Sequence, residues 1–244
     1  MRGRWVLCLA VGCALGAVVD FGPARESAAA KVAKVDLTEY LDGFPQVGDF
    51  RVYNRSDGET LTSTLLDLVE QKKATDYETE YDDAGDIEDD FTETVHGKED
   101  RIGTIVLGPV TFVAAHPKRF QTFVFVPGKP QKFKIGMTVF YQGTKAGRAT
   151  IAGANTFVGF EPISTPLGDF TQVAHMHNDQ TLTVKVGHSI LRAVSSSDSW
   201  ISAEFGTVLV KRMSQSYQDG VPQQPFGPFE YTFDHGQYKG IAIP

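Results

Sequence analysis

Apolar and polar residues alternate along most of the chain beyond its first thirty residues, and this period of two predicts β-strands that bury one face. The clearest case is Lys132–Tyr141, where every second residue is apolar from Phe133 to Val139. Glycine and proline interrupt the alternation at short intervals, as they do in sandwiches and barrels built from antiparallel strands. The pattern contains no long amphipathic helix after the first thirty residues.

Roughly a dozen strands fit this pattern, and the links between them have the length of hairpin turns. Strands joined in this way pair antiparallel. A sheet of that size curls or splits into two packed layers. We therefore predict an all-β fold, a curved antiparallel sheet in the form of a half-barrel or a β-sandwich, with little helix.

Four segments qualify this prediction. Lys31–Leu41 fits a linker or a short helix, and Asn54–Gly58 has the composition of a hairpin turn. Thr60–Glu70 fits a kinked strand or a short helix, and its threonines favour the strand. The polar run Ser195–Ser199 is interpreted as a loop between two strands.

The first thirty residues have the layout of a secretory signal peptide. Met1–Arg4 is basic, and the uncharged stretch Trp5–Val19 that follows is shorter than the roughly 20 residues that cross a bilayer. Ala28 and Ala30 form an A-x-A pair, so cleavage is expected after Ala30. An earlier cut and an uncleaved anchor remain open. We expect an exported chain, periplasmic or extracellular, that is not transmembrane after cleavage.

The two cysteines offer a second interpretation of this region. Ala10–Cys13 weakly resembles a bacterial lipobox, which would make the chain a lipoprotein anchored to the membrane through Cys13. Cys8 and Cys13 are the only cysteines, so cleavage after Ala30 leaves none. Disulfides, thiol catalysis and cysteine-ligated zinc are then excluded from the mature chain.

Composition divides the chain into three parts and narrows its partners. Residues 1–30 are the signal peptide, 31–213 the antiparallel β domain, and 214–244 a Gln-, Pro- and aromatic-rich segment that forms a tail or one extra strand. The net charge of −7 argues against a nucleic-acid partner, because phosphate backbones are bound by basic surfaces.

An acidic segment, Asp76–Glu93, holds ten acidic residues and no lysine or arginine. Carboxylates of this kind can bind calcium, but the spacing does not match an EF-hand loop. The simpler interpretation is an acidic, solvated loop and hairpin whose charges discourage pairing with other chains.

His175 and His177 lie two residues apart in an expected strand, so their imidazoles face the same side. Together with a third ligand, Asp179 or His188, they would form a metal site, and a metal-dependent enzyme is the alternative function. The simpler interpretation is a pair of strand histidines. The sequence has no G-x-S-x-G elbow, P-loop or dinucleotide motif, so we expect no cofactor and no enzymatic activity.

Aromatic residues recur on many of the expected strands, where they either fill a core or line an apolar cavity. In the second case a curved sheet would hold a lipid or another apolar ligand on its concave face. The residues assigned to that face are phenylalanines spread over several strands: Phe123, Phe125, Phe133, Phe140 and Phe160.

Several motifs resemble a known group of proteins. Ser164–Phe170 contains a TP-x-G-x-F turn, Ser199–Lys211 follows a W-x-x-A-x-x-G-x-V-x-x-K hairpin, and Phe44–Gly48 opens a similar segment. These motifs resemble those of bacterial exported, periplasmic β-proteins of unknown function, which are similar to lipoprotein-carrier half-barrels. The resemblance covers about residues 44–53 and 143–212. It implies an envelope location and lipid handling, and it implies no catalytic residues.

The expected function is therefore that of an exported, non-enzymatic β-protein of the bacterial cell envelope that binds a lipid or other apolar ligand. Two alternatives are kept. One is a metal-binding protein or metal-dependent enzyme that uses His175 and His177. The other is a structural or interaction module without a small-molecule ligand, whose acidic loop and C-terminal segment contact an envelope protein partner.

Overall fold

A computed structural model describes residues 33–41, 48–73, 76–84, 89–96, 99–107, 109–238 and 240–243. Within these ranges, the description of positions 61, 63–73, 76–84, 89–96 and 238 is limited to the backbone. The expected signal peptide, its cleavage site and Cys13 lie outside the described residues. Within those ranges, no helix has the length and apolarity needed to span a membrane.

The described residues form sixteen strands and one short helix, almost all of it antiparallel sheet. In chain order the elements are β1 (Val35–Asp36), α1 (Thr38–Leu41), β2 (Phe50–Arg55), β3 (Thr60–Lys73), β4 (Asp76–Ala84), β5 (Asp89–His96), β6 (Glu99–Leu107), β7 (Val110–Thr122), β8 (Val124–Phe125), β9 (Gln131–Tyr141), β10 (Thr144–Thr165), β11 (Gly168–Val186), β12 (Ser189–Ser202), β13 (Gly206–Gln218), β14 (Val221–Pro222), β15 (Phe226–Tyr238) and β16 (Ile241–Ile243). The all-β antiparallel fold predicted from the alternation is confirmed.

One large sheet contains all these strands except β1 and β8, which pair with each other. From β2 to β13 most neighbours in the sheet are also neighbours in sequence. The strand β15 pairs with β13 on one side and with β2 on the other. The sheet is strongly curved, because a single strand reaches both of these distant strands.

The C-terminal segment contributes strands to this sheet. The sequence left open whether residues 214–244 form a tail or an extra strand. In the structure, Tyr231 of β15 lies opposite Val210 on one neighbour and Arg55 on the other. The same segment contains β14 and β16, which pair with β13 and β15.

The longest strands described are β10, with 22 residues, and β11, with 19. The interpretation of Ser195–Ser199 as a loop is wrong, because this run lies inside β12. Ser195 pairs with Gln180 on one side and with Ser214 on the other, so both neighbouring strands satisfy the backbone of the run. Thr60–Glu70 is a strand, as its threonines suggested.

Close approach of β10 and β11 depends on a glycine. Gly153 lies opposite Gln180, and a Cβ atom at this position would collide with the carbonyl oxygen of Asp179. It would also come within 2.8 Å of the Gln180 Cα atom and 2.9 Å of its Cβ atom. Because these are mostly backbone atoms inside a sheet, a side chain here would force the two strands apart.

The buried side chains form three apolar clusters. The first lies on β6, β7 and β9–β12 and includes Phe112, Ile135 and Ile151. The second joins β2, β11, β13, β15 and β16 around Val208 and Phe233. The third is formed where the N-terminal segment covers the sheet, since the fully buried Leu37 packs with residues of β8, β10, β11 and β12.

Candidate functional site

The histidine pair predicted from sequence lies on the outward face of β11. The register places His175 opposite Trp200 and His177 opposite Asp198, both on β12. Glu161 of β10 reaches the same place from the other side. The two histidine side chains are only 16% and 24% exposed, so this group is a partly buried patch on the sheet surface.

All four imidazole nitrogens of the pair lie close to carboxylate oxygens. His175 Nδ1 is 3.0 Å from Glu161 Oε1, and its Nε2 is 2.8 Å from Asp198 Oδ1. His177 Nδ1 is 3.0 Å from the same Asp198 oxygen, and its Nε2 is 3.3 Å from Asp179 Oδ2. Both rings are therefore held in place by carboxylates on two sides.

Trp200 ties this network to the next strands. Its indole Nε1 donates to Glu161, and its ring stacks on His175 with the centroids 4.5 Å apart and the planes 18° from parallel. Lys211 of β13 places its Nζ 5.8 Å from the centroid of the same indole and 3.0 Å from Glu230 of β15. A continuous polar strip therefore crosses β10–β13 and reaches β15.

Asp198 is the carboxylate on which both histidines converge. Its burial alone would raise its pKa, but hydrogen bonds from His175 and His177, together with their charge, outweigh this and lower the pKa below the ordinary value of 3.8. Asp198 is therefore held as an anion and acts as the shared acceptor of the network.

His188, one of the two third ligands proposed from sequence, does not lie near His175 and His177. This residue lies exposed in the turn between β11 and β12, eleven residues beyond His177, or about 35 Å along an extended strand. Asp179 does adjoin His177. In the part of the chain that the structure describes, no group of three or more His, Cys, Asp or Glu side chains is arranged to hold a metal ion.

Sequence reasoning missed the partners of the pair, Glu161, Asp198 and Trp200. The signal was present, since Asp198 and Trp200 lie two residues apart and share a face if the serine run is a strand. The assignment of that run as a loop removed this inference. Glu161 lies beyond a register shift in β10 near Gly159, which alternation does not reveal.

The five phenylalanines assigned to a ligand face do not lie together. Phe133 belongs to the first apolar cluster and Phe125 to the third, and Phe123 is fully buried. Phe140 points to the side of β9 opposite Phe133, because the two residues differ by an odd number of positions along the strand. Phe160 is 40% exposed and packs on Tyr40 at a centroid distance of 5.2 Å.

The middle of the buried face is polar. Asn155, Gln180, Ser195 and Ser197 on β10–β12 are all at least nine-tenths buried. Asn155 donates to the carbonyl oxygen of Phe120 at 3.3 Å, and Gln180 donates to the hydroxyl oxygen of Ser195 at 3.4 Å. This polar band follows the first apolar cluster along β10–β12, so the buried face is not one continuous apolar surface.

At one end of the sheet the apolar rows reach the surface. The buried row of β9 ends in Tyr141, which is 37% exposed, and the buried row of β11 ends in Val186, which is 43% exposed. Ile190 and Val221, 43% and 61% exposed, lie at adjacent hairpin tips. We call these four residues the apolar rim. Through Tyr141 and Val186 it connects solvent with the first apolar cluster.

The acidic segment forms paired strands. β4 and β5 are antiparallel, with Asp82 opposite Asp90 and Asp83 opposite Asp89. The hairpin expected here is therefore present in the backbone. The side chains of this segment lie outside what the structure describes, and calcium binding stays a prediction.

These features define an antiparallel β-protein with a polar strip on its outward face and an apolar rim at one end. Two solved structures are similar to it. One is a candidate exported protein with a YmcC-like fold from Bacteroides fragilis, which is 15% identical, with 78% of this chain and 96% of that chain covered at a TM-score of 0.45. The other is a candidate lipoprotein from Parabacteroides distasonis, which is 12% identical, with coverages of 77% and 94% at a TM-score of 0.40.

No protein-family model and no curated protein matches the chain. The sequence motifs resemble those of exported, periplasmic β-proteins similar to lipoprotein-carrier half-barrels, and the two solved structures are described as an exported protein and a lipoprotein.

Proposed function

We propose that this chain is an exported β-protein of the bacterial cell envelope that works by binding rather than by catalysis, and that its ligand is apolar. The signal-like layout of residues 1–30 supports export. The observation that carries the binding role is the apolar rim, where two rows of core residues continue to large exposed side chains at the surface.

The polar strip supports a role without catalysis. It is the strongest collection of titratable groups in the described residues, but its carboxylates occupy all four nitrogens of His175 and His177. A general base must have a lone pair directed at a substrate proton. The strip instead joins the side chains of the neighbouring strands β10, β11 and β12, an arrangement that stabilises the sheet.

The rim supports an apolar ligand in a way that the five phenylalanines do not. Along β11, the buried Leu182 and Val184 lead directly to Val186. Along β9, Met137 and Val139 lead to Tyr141 in the same manner. An acyl chain or similar molecule placed at this end would extend the first apolar cluster and remove the rim from water.

Native mass spectrometry of the protein purified from an envelope fraction tests the proposal. We expect a bound apolar molecule on the parent chain and a several-fold lower occupancy in Val186→Lys, because a charge would lie against the ligand. Ile241→Lys is the matched control, since Ile241 is 70% exposed on β16 at the opposite end. Parent protein without any bound apolar molecule would contradict the proposal.

The metal alternative has its own test. We expect elemental analysis of the purified protein to find no stoichiometric zinc, copper, nickel or iron, because each histidine nitrogen already faces a carboxylate. His175→Gln and His177→Gln should then leave the metal content unchanged. One equivalent of metal that disappears in both variants would restore the metal-binding function.

A further inference from the structure

We propose that the end of the sheet carrying the apolar rim docks onto the surface of an anionic lipid bilayer. The inference goes beyond the proposed ligand, and it rests on how charge is distributed around the rim.

Charge is strongly segregated along this chain despite its acidic total. Residues 101–160 contain eight lysines and arginines and no acidic residue, whereas the acidic segment Asp76–Glu93 contains ten acids and no base. In the sheet the first region forms most of β6 and all of β7 and β9, and continues into β10, and the second forms β4 and much of β5. One side of the curved sheet is therefore basic although the protein as a whole is negative.

Basic side chains on the outward face surround the rim. They are all exposed and lie on β10–β12: Lys145, Arg148, Lys185 and Arg192. Arg148 lies directly opposite Lys185 in the β10–β11 register, and Lys185 lies opposite Ile190 in the β11–β12 register. Like charges directly across two strands destabilise a sheet, so an anion that binds there would relieve an existing repulsion.

The rim and the basic residues lie in the order that a membrane surface requires. The apolar residues lie at or beside the tips of the β9–β10, β11–β12 and β13–β14 hairpins, and the basic residues lie mostly further back along the strands. Apolar tips can enter the headgroup region while the basic groups behind them face lipid phosphates.

Other charges at these tips do not reverse the pattern. Asp219 lies at the β13–β14 tip, but its Oδ1 accepts the backbone N–H of Ile190 at 2.7 Å. His188 lies exposed at the β11–β12 tip. An anionic bilayer fits this arrangement better than an acidic protein would, because the exposed apolar residues are carried by several hairpins rather than gathered in one groove.

Quenching of tryptophan fluorescence by brominated phosphatidylcholine measures whether the rim enters the bilayer, and the full chain is used. The comparison is between two positions on the sheet, so binding of the N-terminal segment to the vesicle does not replace it. Ile190→Trp reports from the rim, and Ile241→Trp is the matched reporter at the opposite end. Emission is compared with the parent chain, which already carries Trp5 and Trp200. Vesicles contain phosphatidylcholine alone or with phosphatidylglycerol.

We expect the tryptophan at position 190 to be quenched in anionic vesicles and not in neutral ones, and the tryptophan at position 241 in neither. Arg148→Gln or Lys185→Gln, each combined with Ile190→Trp, should weaken vesicle binding measured by this quenching about fivefold. Lys129→Gln, at the opposite end of the sheet, should leave it unchanged. Equal quenching in both vesicle types, equal quenching at both positions, or none at 190 would overturn the proposal. A blue shift at position 190 that grows with protein concentration without vesicles would assign the rim to a second copy of the chain.

Discussion

Replacing Gly153 by alanine is expected to lower the free energy of unfolding by about 3 kcal/mol. The added methyl group would collide with the Asp179 carbonyl oxygen and crowd the Gln180 backbone. Neither β10 nor β11 can move aside freely, because each is paired along its other edge with β9 or β12. Chemical denaturation monitored by circular dichroism measures the loss.

A second glycine provides the control for this substitution. Gly136 lies at an exposed position of β9, and no atom lies within 4 Å of the place that an added methyl group would occupy. Gly136→Ala should leave stability unchanged or raise it by about 0.5 kcal/mol, because alanine restricts the unfolded chain more than glycine does. Equal effects of the two substitutions would show that the β10–β11 approach is looser than described.

Asp198→Asn is expected to destabilise the protein by about 2 kcal/mol, because hydrogen bonds to a charged group contribute more than neutral ones. Two imidazoles donate to the Asp198 carboxylate, whose side chain is 21% exposed. The amide keeps the shape of the side chain but loses its charge. Its NH₂ group is a donor and cannot accept hydrogen bonds from the two imidazoles. Thermal or chemical unfolding at constant pH measures the loss.

The pH dependence of this effect follows from the lowered pKa of Asp198. A carboxyl group with a pKa below its unfolded value of 3.8 contributes stability above that value, and the contribution disappears as pH falls through the folded-state pKa. The parent protein and Asp198→Asn should therefore differ fully above the unfolded value of 3.8 and converge as the pH falls through the lower folded-state pKa of Asp198. Asp169→Asn makes the same chemical change at an exposed position beside the β10–β11 turn and is the matched control. A difference that is constant over this range would contradict the assigned role of the carboxylate.

The architecture was predictable because alternation is a local signal. Lys132–Tyr141 and Thr60–Glu70 showed their strand character in sequence, and the sheet they form is antiparallel as the short links require. Strand length was not predictable in the same way. The serine run of β12 is polar enough for a loop, and only its two flanking strands make an extended conformation favourable there.

The site was predictable only in part, and for the same reason. His175 and His177 share a face by their spacing alone, but Glu161 and Asp198 reach them through pairing between strands distant in sequence. His188 was proposed as a ligand because it is near in sequence, yet an extended strand carries it far away. The phenylalanines were grouped by residue type, whereas a shift of an odd number of positions sends Phe140 to the opposite face from Phe133.

The pairing of β15 with β2 has a consequence for biogenesis. Tyr231 and Arg55 are partners across more than 170 residues, so β2 lacks one neighbour until β15 has been synthesised. Contacts between such remote segments form slowly, since the entropy of a very large loop must be overcome first. Slow formation of this contact would keep the new chain unfolded for longer, as the export proposed above would require.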